Sequence, residues 1–293
     1  MAQFRRSHQR QSRGAASTIL RVLLLVVILI GFILAWQAIS ELFTRPQRVE
    51  DRFYLPEGGR GQQIAHRTYS LSYVESWKQA EWVAYVLRGE DLRKPWLPRE
   101  DDYRPDPQVR RGTTDSRDFR HPDYDRGHLV AVADRAYHRA AMRETFLMSN
   151  ISPQHKHFNR GIWRELEENV REWAKQKEEL FVLSGPVMTE PLLDEIGRNR
   201  VKVPAAYFKV LLDLREPGYQ GIAFVIPNAL SREPLHRYAV SIDSAEALTG
   251  LDFFPDLMED ELEKELEATC ERSAWPTDER RFRRRLEEWN RQD

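Results

Sequence analysis

The stretch DYDRGHLV, Asp123 to Val130, sets an acid, a guanidinium and an imidazole close together as Asp125, Arg126 and His128, with Gly127 between the last two. A neutral imidazole at a strand end can take a proton from water near neutral pH. A guanidinium pairs bidentately with a phosphate. The glycine lets backbone or substrate come close. An Arg-Gly-His tripeptide says little alone, but more polar residues follow: Asn150 closing an expected strand, Asn159 opening an expected helix, and Glu167 and Arg171 farther along that helix. Eight residues of helix carry Glu167 about 80° around the axis from Asn159, on the same broad side. Arg171 extends that row at i+4. A helix cap at Asn159 and a surface Glu167–Arg171 pair are the plain structural alternatives. Oxygen donors without sulfur suit Mg2+, which keeps most of its waters. Together the set points to metal-assisted phosphodiester hydrolysis: a base activates water, a hydrated hard cation neutralises the leaving oxygen, and an arginine steadies the phosphate.

A histidine-rich zinc site is the competing metal reading. Five of the eight histidines lie between His121 and His157, and His155-x-His157 could set two imidazoles on one strand face with His128 as a third ligand. No cysteine is near and no HExxH spacing occurs, so ordinary polar contacts account better for most of these histidines. The single cysteine, Cys270, sits in a charged tail; it excludes an intrachain disulfide and reads as incidental rather than nucleophilic.

The elements that must position these residues are legible in outline. HRTYSLSYV, His66 to Val74, alternates as a strand does. QAEWVAYVL, Gln79 to Leu87, suits a helix or a second strand. Residues 94–123 are polar and rich in Pro, Asp and Arg, a long ordered loop of the kind that carries function. GHLVAVAD then reads as a strand, DRAYHRAAMRETF as a short helical crossover and FLMSNIS as a second strand. FNRGIWRELEENVREWAKQ is a helix with Ile162, Leu166, Val170 and Trp173 on one face. LFVLSGPV, YFKVLLDL and GIAFVIPN are three further strands, and residues 259–293 form a charged, amphipathic tail expected as a solvated helix.

With 293 residues, 41% of them hydrophobic and 31% charged, the chain is long enough for a substantial core. The net charge of −1 conceals an asymmetry. Residues 1–40 hold five arginines and no acid, so the rest carries 40 of the 45 basic residues and all 46 acidic ones. A strongly basic nucleic-acid clamp is thereby excluded, and any nucleic-acid role must rest on local chemistry. VLLLVVILIGFILAW, Val22 to Trp36, follows those arginines; with its flanks, over residues 19–39, it is long enough to cross a lipid bilayer if Arg21 snorkels. The positive-inside rule then leaves the N-terminus in the cytoplasm and the remainder outside it, as a single-pass signal-anchor protein of a bacterial inner membrane. A buried core helix and a signal peptide cleaved at Ala38-x-Ser40 are the alternatives, and the acid-free, Arg-rich start also fits a mitochondrial presequence ahead of an inner-membrane anchor. The expected organisation is a basic tail and anchor over 1–40, a Pro- and Gly-rich linker over 41–62, a catalytic domain over 63–258 and the charged tail over 259–293.

DRGH, SNISPQ and FNRGIWRELE, in that order, resemble the DNA/RNA non-specific endonuclease family, ββα-metal nucleases of the endonuclease G type. The likeness spans roughly residues 64–258 and includes KVPAAYFKVLLDL, IAFVIPN and EALTGLDFFPDL. It implies an α+β fold with a central, mainly antiparallel sheet flanked by helices. It implies roles as well: His128 the general base; Asn159 the direct protein ligand of Mg2+, or of Mn2+ or another divalent cation; Glu167 an acid acting on the metal through water; Asn150 arranging histidine and substrate; Arg126 on the phosphate; Asp125 orienting the loop; Arg171 on the substrate backbone. The family's additional upstream arginine has five candidates here, Arg104, Arg110, Arg111, Arg117 and Arg120, among which the sequence does not choose. DNA and RNA are the implied substrates, 5′-phosphate ends the implied products, and homodimers occur among the relatives. A catalytically silent binding protein of the same fold and a phosphodiesterase for small or lipid phosphates are the rival functions.

Overall fold

Alternating side chains of a strand point to opposite faces, so a strand covered on both faces loses its two-residue pattern. QAEWVAYVL is such a strand. In the computed structural model, which describes residues 20–35, 54–189, 191–215 and 218–291, it is β3, Gln79–Arg88, after β1, Gln62–Ala65, and β2, Ser70–Val74. Val83, Tyr85 and Leu87 enter one apolar core; Trp82 and Ala84 enter a second on the other side. Before these strands lies helix α1 over residues 20–35, with every residue exposed. At 1.5 Å per residue its length is about 24 Å, less than the ~30 Å hydrocarbon layer. Among the described residues no helix is long and apolar enough to cross a membrane, which does not meet the expectation of a span; residues 19 and 36–39 of that expectation lie outside the described ones. The chain divides into two compact units, Met1–Pro46 and Gln47–Asp293.

The second unit continues with a short helix α2, Gly89–Leu92, then β4, Tyr124–His128, helix α3, Arg139–Glu144, and β5, Ile151–His155. A π-helical turn over Phe158–Trp163 leads into α4, Arg164–Lys177. There follow β6, Glu179–Pro186, β7, Asp194–Ile196, β8, Val201–Val203, β9, Ala206–Asp213, β10, Gln220–Pro227, and β11, Ala239–Val240. Helices α5, Ile242–Thr249, α6, Asp260–Glu267, and α7, Glu279–Glu287, close the chain. Seven strands form one sheet in the order β1-β2-β3-β6-β9-β10-β11, paired antiparallel throughout. Helix α4 covers one face through Leu166, Val170 and Trp173; Ile242, Ala245 and Leu266 of α5 and α6 cover the other. This is the α+β arrangement expected, with an antiparallel central sheet between helices.

β4 and β5 make a separate antiparallel pair, with Arg126 opposite Pro153, Gly127 opposite Ser152 and His128 opposite Ile151. The expected strand GHLVAVAD is displaced: it ends at His128 rather than beginning there. Leu129, Val130 and Ala131 are instead buried, with Asn150 taking over the backbone groups of the first two. Asn150 itself ends a 3-10 turn ahead of β5 rather than closing a strand. The pair is pinned to the large sheet by polar bonds: Ser152 Oγ to Gln79 and to the Tyr207 hydroxyl, and Tyr207 Oη donating to Pro153 O at 2.8 Å. Gly127 is needed for packing, since a Cβ there would lie 2.2 Å from the buried Gln154 side chain.

The C-terminal segment differs from a solvated helix. Leu266, Trp275, Arg285 and Trp289 are buried, and Trp173 Nε1 donates to Pro276 O at 2.8 Å. Arg285 Nε meets Glu165 Oε2 at 2.6 Å, with both side chains 0–1% exposed. The high charge of this segment misleads because its arginines are partly spent on buried partners.

Candidate active site

His128 ends β4, and its ring packs between Tyr103, at 5.6 Å between centroids, and Phe146, at 5.1 Å edge-on. Its Nε2 is enclosed and has no protein partner, whereas Nδ1 is not enclosed, so Nδ1 is the nitrogen able to exchange a proton with a ligand. Burial lowers the imidazole pKa to about 3, helped by the guanidiniums of Arg99 and Arg126 against the opposing pull of Asp101. The ring is therefore neutral at physiological pH and stands in a positive field.

Arg126 lies two residues back on the same face of β4. It is exposed, stacks over Tyr103 at 4.4 Å, and no carboxylate pairs with it among the described residues. A groove lined by Arg120, His121, Tyr124 and Lys156 runs past it. Arg99 lies beside Arg126: it stacks on Phe146 at 5.4 Å, its Nη2 donates to the Tyr103 hydroxyl at 3.5 Å, and its Nε pairs with Asp101 Oδ1 at 2.6 Å. Neither Arg99 nor Tyr103 was singled out from the sequence. They come from the long loop, which is drawn in by Leu97 N donating to Ala136 O at 2.8 Å and Met148 N to Arg104 O at 2.9 Å. The five arginines named as upstream candidates omit Arg99. Arg104, one of them, spends its Nη1 on Asp102 and Arg143 O.

Asn159 sits in the π-helical turn. Its Nδ2 donates to Asp125 Oδ2 at 3.0 Å, and Arg160 grips the same carboxylate with two bonds of 2.7 Å. The amide nitrogen is thus spoken for, which assigns Oδ1 as the atom available to a cation, by the logic of the hydrogen-bond network. Asp125 ties this turn to the strand that carries His128. Glu167, half-buried one helical turn into α4, has its carboxyl pushed up to about 7 by burial, against the pull of Lys209 and Arg171. A half-buried carboxyl whose charged form is disfavoured by burial is stabilised by added positive charge, and amide and carboxyl oxygens are the donors that a hard cation takes. The residues present fit a divalent metal.

Two predicted residues stand elsewhere than expected. Asn150 is fully buried: Oδ1 accepts from Val130 N at 2.9 Å, and Nδ2 donates to Val130 O at 3.1 Å and Thr145 O at 2.8 Å. It shapes the chain leaving His128 and has no atom left for substrate. Arg171 is 9% exposed and pairs with Asp134 Oδ1 at 3.0 Å, while Asp134 Oδ2 accepts from the Tyr85 hydroxyl at 2.8 Å. It lies under the site rather than on a substrate path. Lys209, 1% exposed, joins this buried group; its Nζ lies 4.8 Å over Trp163 and donates to Ser184 Oγ at 3.3 Å. A lone lysine inside the apolar run YFKVLLDL was the sequence signal for it. The histidine-rich zinc alternative finds no support: His155 and His157 lie 5.5 Å apart between ring centroids, and no described cluster of three possible ligands contains a histidine.

The family model for DNA/RNA non-specific endonucleases matches residues 51–260. The chain belongs to the DNA/RNA non-specific endonuclease family. It is similar to mitochondrial nuclease EXOG of Danio rerio, 33% identical over 230 residues, covering 73% of this chain and 67% of that one. It is 35% identical over 215 residues to mitochondrial endonuclease G of Homo sapiens, covering 68% and 72% respectively. Among solved structures, the crystal structure of the EndoG/EndoGI complex, described as showing the mechanism of EndoG inhibition, matches with a TM-score of 0.63 at 28% identity, over 68% of this chain and 88% of that one. The chain is accordingly a nuclease, a hydrolase acting on phosphodiester bonds.

Proposed function

We propose that this nuclease is an Mg2+-dependent endonuclease that hydrolyses DNA and RNA without regard to sugar or sequence and leaves 5′-phosphate ends. The observation that carries the reading is His128: a neutral imidazole with an open, unpartnered Nδ1, flanked by Arg99 and Arg126, on the strand whose Asp125 holds Asn159. Nδ1 takes the proton of a water as its oxygen attacks phosphorus, the P–O3′ bond breaks, and the departing 3′ oxygen takes a proton from solvent to become a hydroxyl. Arg126 and Arg99 hold the phosphate, and as its negative charge offsets theirs the imidazole becomes a stronger base. Asn159 Oδ1 would hold the cation directly and Glu167 through water, and the cation supplies charge neutralisation at the leaving oxygen when bound. Mn2+ satisfies the same donors. Arg120, Arg126 and Lys156 line the groove and suit contacts to phosphate, which carry no sequence information and so favour sequence indifference.

The division into 1–40, 41–62, 63–258 and 259–293, and a lipid contact made through residues 19–39, belong to the same proposal. Of the two compartments weighed, the bacterial inner membrane and the mitochondrion, the second has the support of both relatives' names.

The test is incubation of the full chain with supercoiled plasmid and with single-stranded RNA, in Mg2+ or EDTA. Degradation of both polymers in Mg2+ alone is expected. Binding without cleavage would support the silent scaffold, and cleavage of small chromogenic diesters with both polymers spared would support the small-phosphate phosphodiesterase.

A further inference from the structure

On the face of the sheet opposite α4, α5 and α6 come together over Gly221. A Cβ at Gly221 would lie 2.5 Å from Leu266 Cδ2 and 2.7 Å from Ile242 Cδ1, so the glycine lets both helices sit down on β10. The residues next to those two anchors are Asp243 and Glu267, and Glu246 follows Asp243 by one helical turn. One carboxylate oxygen from each of Asp243, Glu246 and Glu267 lies within 4.8 Å of the others. Asp243 is exposed, Glu246 half-buried and Glu267 5% exposed.

Acidic clusters on surfaces are common and mean little. This one has a buried member with nothing to satisfy it: Glu267 contributes a carboxylate oxygen to the cluster, and its Oε1 is enclosed with no hydrogen-bond partner. Its two neighbours in the cluster, Asp243 and Glu246, are also acids, and Phe253 N donates to Glu246 Oε1 at 2.6 Å. A buried carboxyl set beside two others with no hydrogen-bond donor on its enclosed oxygen calls for either a proton or a cation. Oxygens no more than 4.8 Å apart can be bridged by one hard cation such as Ca2+, which takes carboxylate and water oxygens, and the exposed side at Asp243 leaves room for water ligands.

We propose that Asp243, Glu246 and Glu267 form a second hard-cation site, one that takes Ca2+, that clamps α6 onto α5 apart from the catalytic centre. Its role is to hold the C-terminal segment on the domain.

The test uses the full chain carrying Asn159→Ala, so that the catalytic cation site is disabled. Equilibrium dialysis should count one Ca2+ per chain, and saturating Ca2+ should raise Tm by about 4 °C or more. Glu246→Gln/Glu267→Gln should abolish both effects while raising the metal-free Tm, since removal of like charge relieves the fold. Asp243→Asn, at an exposed position that leaves the core intact, should weaken Ca2+ binding at least tenfold. No Ca2+ bound to the Asn159→Ala chain, or undiminished binding in the double variant, would overturn the site and assign the cluster to shared protons.

Discussion

At the scale of single residues, the account rests on the state of His128. Its pKa near 3 in the free protein is low because the ring is buried and Arg99 and Arg126 face it. A bound phosphate neutralises those guanidiniums and must raise it. The kinetic consequence is that the acid limb of kcat, which reports the bound enzyme, lies at higher pH than that of kcat/KM, which reports the free one. Coincident limbs would contradict it. The stability consequence has a definite sign. The folded pKa is below the unfolded value of about 6.5, so the contribution is fully present above 6.5 and is lost as pH falls from there toward 3. His128→Ala should flatten that part of the stability profile in urea melts run from pH 7 to 4. The residues that carry this chemistry were partly legible in the sequence. His128, Asn159 and Glu167 stood out because they fall in the ordered motifs DRGH and FNRGIWRELE, although a helix cap and a surface ion pair were plain alternatives for the last two. Arg99 and Tyr103 did not, since they lie in a loop with no periodicity and reach the site through backbone bonds to segments some 40 residues on.

At the scale of elements, the site is a short strand pair and a helix locked together by Asp125. That carboxylate holds Asn159 with one bond and Arg160 with two. Asp125→Asn keeps the shape and loses the charge that fixes both partners. We expect the Mg2+ concentration for half-maximal cleavage to rise about 10–100-fold, with the maximal rate recovered at high Mg2+; an unchanged Mg2+ titration would separate Asp125 from the metal site. Element boundaries were the least legible part. The apolar run after His128 looked like a strand, yet Asn150 draws it into the core. The helix over 164–177 was plain, because Leu166, Val170 and Trp173 keep their spacing and are buried together. What its sequence hid was burial on the side of Glu165 and Arg171, which depends on partners far along the chain.

At the scale of the whole molecule, the catalytic cassette sits on a seven-stranded sheet covered on both faces, and the C-terminal segment helps to cover it. Arg285 is the clearest link, bonded to Glu165 and to the carbonyls of Ser231 and Glu233. Arg285→Met leaves Glu165 buried without its partner and should cost about 3–5 kcal/mol, read as a lower urea midpoint at an unchanged slope. Tolerance of that change would mean that the tail is dispensable to the fold. The central claim, that a neutral imidazole at position 128 accepts the proton of the attacking water, is tested most directly by chemical rescue. His128→Gly should lose Mg2+-dependent plasmid cleavage by about 10²–10⁴-fold, and added imidazole should restore it in proportion to the concentration of its unprotonated form. Cleavage by His128→Gly at the rate of the unaltered protein, with no imidazole present, would contradict the account.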